Sequence, residues 1–129
     1  MYKIKIIASA FLTGAVYWLG GADVALKALL VAVVMDYATG LLKAAYLKKL
    51  NSEIGLKGII KKIGMLALVA LAVLLDRATG DTGAVRTLVI YYLVANEGLS
   101  ILENLGATGI KIPAGITKRL EQLKEKGDE

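Results

Sequence analysis

A chain of 129 residues that is 57% hydrophobic, with a mean hydropathy of +0.62, exceeds the roughly 45 to 50% apolar content of soluble domains. The excess sits in four blocks that lack the charged face a soluble helix needs, so the expected class is an all-α membrane protein, a single unit over residues 1–129. Without Cys or His it has no disulfides, thiol nucleophiles, imidazole bases or usual zinc sites, and its net charge of +5 comes from lysines beside apolar runs, which fits lipid headgroups and not nucleic acid.

Lys3 and Lys5 precede the first apolar block, Ile6 to Ala22, seventeen residues without a formal charge. This charged start is like a signal peptide's, and the block is read as an uncleaved spanning helix over about 6–22. Tyr17 and Trp18 suit a membrane interface, and Gly20-Gly21 ends the helix. The second helix is expected over about 24–47. Along it Ala28, Ala32, Asp36, Gly40 and Ala44 recur every four residues, a stripe small everywhere except at its carboxylate. Small residues at this spacing allow close helix packing. An acidic side chain at the centre of a span costs roughly 2.5 to 3.5 kcal/mol and normally faces a partner helix or water, which makes Asp36 the leading functional candidate. Lys43, seven residues on, shares its face and is either a lumen residue or a plain interface lysine.

A turn over Lys48 to Glu53 follows, with Ser52 the expected cap of what comes next. Ile54 to Lys62 reads as a basic interfacial segment and helix three as about 59–76. Its uncharged core, Ile63 to Leu75, is thirteen residues, so Lys61 and Lys62 are expected to snorkel to the headgroups and extend it. After a loop over Asp76 to Arg86, helix four is expected over about 84–104. Asn96, Glu97, Ser100 and Asn104 fall at helical spacings on it, which favours an interhelical or water-facing role over a helix end at the headgroups. From Ile112-Pro113 a short amphipathic helix over about 112–126 sets Ile112, Ile116, Leu120 and Leu123 against Lys118, Arg119, Lys124 and Lys126, to lie on the membrane or in water.

With four spans and both termini inside, 13 of the 16 lysines and arginines are cytoplasmic, as the positive-inside rule requires. The strings AVVMDYATG (32–40) and AVLLDRATG (72–80) share six of nine residues. Asp36 lies mid-span and Asp76 at a span end, so the echo is taken as coincidence and not as a transporter's repeat.

Asp36 with Thr39-Gly40, then Ser52, Gly55, Gly58 and Lys61-Lys62, then Asn96-Glu97-x-Leu99-Ser100-Ile101-x-x-Asn104, and finally Gly109-x-x-Ile112-Pro113 before a charged tail together resemble the toxin-secretion and phage-lysis holins of clostridial and other Gram-positive phages. The match runs from about residue 30 to the end. The Asn96 to Asn104 string with Ile112-Pro113 is its specific part, and the second Asp-Ala-Thr-Gly string at Asp76 departs from the pattern. The resemblance implies a lysis protein that self-associates in the host cytoplasmic membrane and opens holes, through which a separately made endolysin, or in relatives a toxin, leaves the cell. It implies no enzyme, catalytic residue, cofactor or metal. Asp36, Thr39, Lys43, Asn96, Glu97, Ser100 and Asn104 are then the intramembrane polar candidates, with Ala28, Ala32, Gly40 and Ala44 for helix packing. The mechanism expected is that Asp36 and Glu97 stay in protein contacts or protonated until many copies meet. A small four-helix multidrug-type transporter matches in length and span count, but its essential glutamate lies in the first helix, and Ile6 to Ala22 has none. A membrane scaffold recruiting a partner through the basic tail is the third reading.

Overall fold

The computed structural model describes residues 1–128 and is all-helical: α1 (Tyr2–Trp18), α2 (Val24–Tyr46), α3 (Ser52–Ala78), α4 (Ala84–Ala107) and α5 (Ala114–Asp128). Glu129, the end of the charged tail string, lies outside the described residues. Among the described residues three helices, α2, α3 and α4, are long and apolar enough to cross a membrane. At 17 residues, α1 is about 25 Å long against a hydrocarbon core of about 30 Å.

The bundle core is Leu29 of α2, Met65 and Val69 of α3, and Ile90 and Leu93 of α4. With Leu26, also buried on α2, these positions fall at spacings of three or four residues on each helix, so one stripe per helix turns inward. The remaining faces carry exposed Val31, Val34, Leu68, Leu71 and Leu74, the surface expected against acyl chains. The packing face of α2 departs from the expected stripe. Leu26, Leu29, Asp36 and Ala44 are buried and Gly40 half-buried, whereas Ala28 is exposed and Ala32 only half-buried. A repeat of four advances about 40° per step on a 3.6-residue helix, which carries Ala28 off the seam.

The largest boundary correction is in α3, which begins at Ser52 and absorbs the expected interfacial segment. Its cap is Asn51 and not Ser52: the Asn51 side chain accepts from the Ile54 N–H at 2.9 Å. Gly55 and Gly58 lie in this helix, and the Tyr37 side chain of α2 packs over them, its hydroxyl and ring 3.2 to 3.3 Å from where a Cβ would stand.

At one end of the bundle the connections are clasped by charge. Arg86 donates to the Leu19 carbonyl (2.7 Å), the Gly21 carbonyl (3.0 Å) and the Asp23 carboxylate (2.7 Å). Gly20, at φ +89°, lies where a Cβ would collide with that arginine. Arg77 stacks on Tyr17 and Trp18, at 4.3 and 5.4 Å from the ring centroids. Asp76 is buried, and its carboxylate accepts from the Val85 and Arg86 N–H groups at 3.0 and 2.9 Å, capping α4. The two echoing strings therefore serve different ends, as their depths suggested. This clasp, with Leu19 packed on the bundle core, anchors α1, which has no buried residue.

The C-terminal helix packs along α4. α5 starts at Ala114, and Leu120 and Gly127 seat it along α4, while Ile116 of its apolar edge stays exposed.

Candidate functional site

Asp36 of α2, Lys62 of α3 and Glu97 of α4 meet in one layer across the bundle. Lys62 Nζ donates to Asp36 Oδ2 and to Glu97 Oε2. The Lys62 side chain is 12% exposed and Glu97 only 1%. Lys62 is thus drawn inward and does not snorkel, while Lys61 is exposed as expected. The physical reason is the pair of acids: two carboxylates inside an apolar bundle are tolerable only with a counter-charge.

α4 supplies a second bridge. Asn104 Nδ2 donates to Asp36 Oδ1 at 3.1 Å, to the Asp36 carbonyl at 3.3 Å and to Thr39 Oγ1 at 3.0 Å. Thr39 passes its own proton to the Met35 carbonyl at 2.8 Å. A cavity of about 180 Å³ opens beside this layer, lined by Asp36, Lys62, Ser100 and Asn104 together with Tyr37, Gly58 and Lys61. Glu97 Oε1 is buried with no hydrogen-bond partner among the described residues.

Of the polar residues singled out from the sequence, Asp36, Thr39, Glu97, Ser100 and Asn104 come together here. Asn96 does not: it is half-buried and makes no side-chain hydrogen bond among the described residues, because it sits about 100° around α4 from Glu97. Lys43 lines a separate cavity with Gly40, Ala44 and Asn104 and forms no ion pair among the described residues. Sequence reasoning missed Lys62 as part of the site, although a signal was present. Lys62 falls in phase with Met65, Val69, Ala72 and Asp76, the buried face of α3.

The layer offers no acid–base or nucleophilic arrangement around a substrate pocket, and among the described residues no cluster could hold a metal ion. What it can do is hold three spans together at mid-depth through contacts that water would loosen. The model of the bacteriophage holin family matches residues 13–125. This chain belongs to the bacteriophage holin family. Within the span of that match lie the whole Asp36, Lys62 and Glu97 layer and most of α5.

One of the curated relatives this chain matches carries a holin name. A protein named probable holin, of Bacillus phage phi105, is 35% identical over 123 residues, covering 95% of this chain and 86% of its own. An uncharacterized 14.9 kDa protein of Clostridium perfringens is 45% identical over 111 residues, 84% of each chain. The uncharacterized protein YqxH of Bacillus subtilis is 37% identical over 114 residues, 88% of this chain and 81% of its own. No solved structure matches the chain significantly. As a holin the protein is not an enzyme; it is a multi-pass protein of the cytoplasmic membrane, in a family whose context is phage lysis.

Proposed function

We propose that this holin accumulates in the host cytoplasmic membrane, self-associates, and opens holes that let an endolysin, or in a related setting a toxin, cross without direct contact. The observation that carries the reading is the ionic layer of Asp36, Lys62 and Glu97 at the middle of otherwise lipid-facing helices. In a lone protomer that layer is closed: Lys62 bridges both carboxylates, and Glu97 Oε1 is left without a partner among the described residues. When many copies meet, the same side chains with Thr39, Ser100 and Asn104 turn toward a shared aqueous lumen, where water replaces their mutual contacts. The small residues Ala32, Gly40 and Ala44 let helices approach closely during this rearrangement.

α1 is the fourth span in this reading, with both termini in the cytoplasm. It has no buried residue, and Ile4, Ile7, Phe11 and Leu12 are exposed along it, as suits a helix facing lipid. Extended by Leu19, its apolar length is close to what local bilayer thinning and snorkelling of Lys3 and Lys5 accommodate. Lys3, Lys5, the lysines between α2 and α3 and the tail then share one side, while Arg77 and Arg86 share the other.

Controlled expression in a bacterium with and without an endolysin tests the proposal. Sudden loss of viability at a set time, with lysis only when the endolysin is present, is expected. Substrate-dependent proton flux in reconstituted vesicles without leakage of folded protein would instead establish a transporter.

A further inference from the structure

α5 is the most charge-rich helix of the chain, and it runs back along α4 to an unexpected depth. Leu120 reaches Gly98, with Leu120 Cδ2 only 2.8 Å from where a Gly98 Cβ would stand. Further on, a Cβ at Gly127 would fall 2.6 Å from Tyr92 Cβ and 2.9 Å from Tyr92 Cα, so the two backbones are nearly in contact. Lys124 Nζ stands 5.7 Å from the Tyr92 ring centroid. Tyr92 itself packs on the apolar core of Leu29, Met65, Val69, Ile90 and Leu93. The second half of α5 therefore stands beside the most apolar part of the bundle, while Lys118, Arg119, Glu121, Glu125 and Lys126 point outward and are exposed.

That position conflicts with a bilayer around α4. Tyr92 is eight residues from the clasped end of α4, about 12 Å along a helix about 36 Å long, well inside a hydrocarbon core about 30 Å thick. Hydrocarbon gives the outward charges of α5 neither water nor counter-ions. The α4 surface beneath α5 has no such difficulty. Tyr92, Leu99 and Leu102 are all compatible with acyl chains, and Glu103 lies toward the far end, within reach of headgroups.

We infer that this α4 face is a lipid-contact surface which α5 covers only while α4 is outside the bilayer. α5 and acyl chains exclude one another on Tyr92, Leu99 and Leu102, and insertion of α4 requires α5 to swing away about the 108–113 turn, where Gly109 has φ +93°. The inference rests on α4 being a span and is independent of hole formation.

The chain has no cysteine, so introduced thiols are unique. Glu103→Cys with Thr117→Cys places one thiol on each wall of the cleft between α4 and α5. The full-length protein is made without membranes, bridged by a short bifunctional methanethiosulfonate, and offered vesicles of phosphatidylethanolamine and phosphatidylglycerol. The bridged form is expected to remain extractable at alkaline pH, while the form released by a reductant becomes resistant. Leu102→Cys with Thr117→Cys gives the same comparison should the first pair perturb folding. Equal insertion of bridged and released protein overturns the inference. A released form that also stays extractable overturns the span reading, and the inference with it, which is a different outcome from equal insertion. Inter-protomer cross-linking in vesicles through Leu102→Cys alone would place a second copy on this face and overturn lipid as its occupant.

Discussion

Asn104 of α4 grips Asp36 of α2 twice, through the carboxylate at 3.1 Å and the backbone carbonyl at 3.3 Å. Because the pair is buried, its hydrogen bonds are shielded from competing water. A buried hydrogen bond to a charged group contributes about 1.5 to 3 kcal/mol, so Asn104→Ala is expected to lower stability by about 2 kcal/mol in mixed-micelle unfolding. Combined with Asp36→Asn, the two losses are expected to be clearly non-additive, as for residues in direct contact. Additive losses would mean the bridge contributes little.

Lys62 carries the larger energetic burden. Lys62→Met leaves Asp36 and Glu97 buried without their shared cation, and removing one partner of a buried ion pair costs about 3 to 5 kcal/mol. The triple variant with Asp36→Asn and Glu97→Gln removes all three charges and is expected to recover most of that loss. The same unfolding assay reads both, and a triple variant no better than Lys62→Met would refute the charge-balance argument.

The proposed lumen role gives a kinetic expectation. Asp36→Ala and Glu97→Ala are expected to shift the time of lysis or abolish it while membrane insertion, followed by alkaline extraction, is unchanged. Lys43→Gln, at a residue outside the ionic layer, is expected to shift timing far less. Wild-type timing in both acid variants would remove Asp36 and Glu97 from the mechanism.

The clasp predicts a pH dependence confined to one loop. The Arg86 guanidinium hydrogen-bonded to Asp23, helped by the Leu26 N–H, holds the Asp23 carboxyl down to about 2 from an ordinary 3.8. A depressed carboxyl stabilises the fold fully above its unfolded value and loses that contribution as pH falls through the folded one. Protection of the Leu26 amide against hydrogen exchange, corrected for intrinsic rate, is therefore expected to drop between about pH 4 and 2. Asp23→Ala, which has no acceptor for the Leu26 N–H, should be weakly protected at every pH; a drop that persists in this variant would point to another group.

Glycines at the α4–α5 contact are expected to respond differently. At Gly98 the nearest atoms are the end of the Leu120 side chain, which can move, whereas at Gly127 they include the Tyr92 Cα and backbone N, which cannot. Gly98→Ala should leave the tail docked and Gly127→Val should detach its end. Protease cleavage within residues 118–128, compared in the two variants before insertion, distinguishes them; equal cleavage would contradict the contact.

Apolar blocks, breaking glycines and interrupting charges were enough to read the all-helical class, the break at Gly20-Gly21 and the approximate place of α2, α4 and the tail. These are local properties, since they depend on hydropathy and periodicity along a single segment. Asp36 and Glu97 were legible for the same reason: a carboxylate in a greasy run stands out without any knowledge of its neighbours. Which cation met them was not legible locally, because Lys61 and Lys62 are adjacent identical residues and only their phase against the α3 core separates them.

The sequence by itself determined the lipid-facing helices and the acids they carry, because burial in oil is a property of composition and spacing. Only the tertiary structure decided that Lys62 turns inward to join Asp36 and Glu97, that Asp76 caps α4 despite its echo of Asp36, and that α5 lies on α4. Each of these is a contact between segments far apart in the chain, settled by which charges and surfaces the packed helices bring within reach.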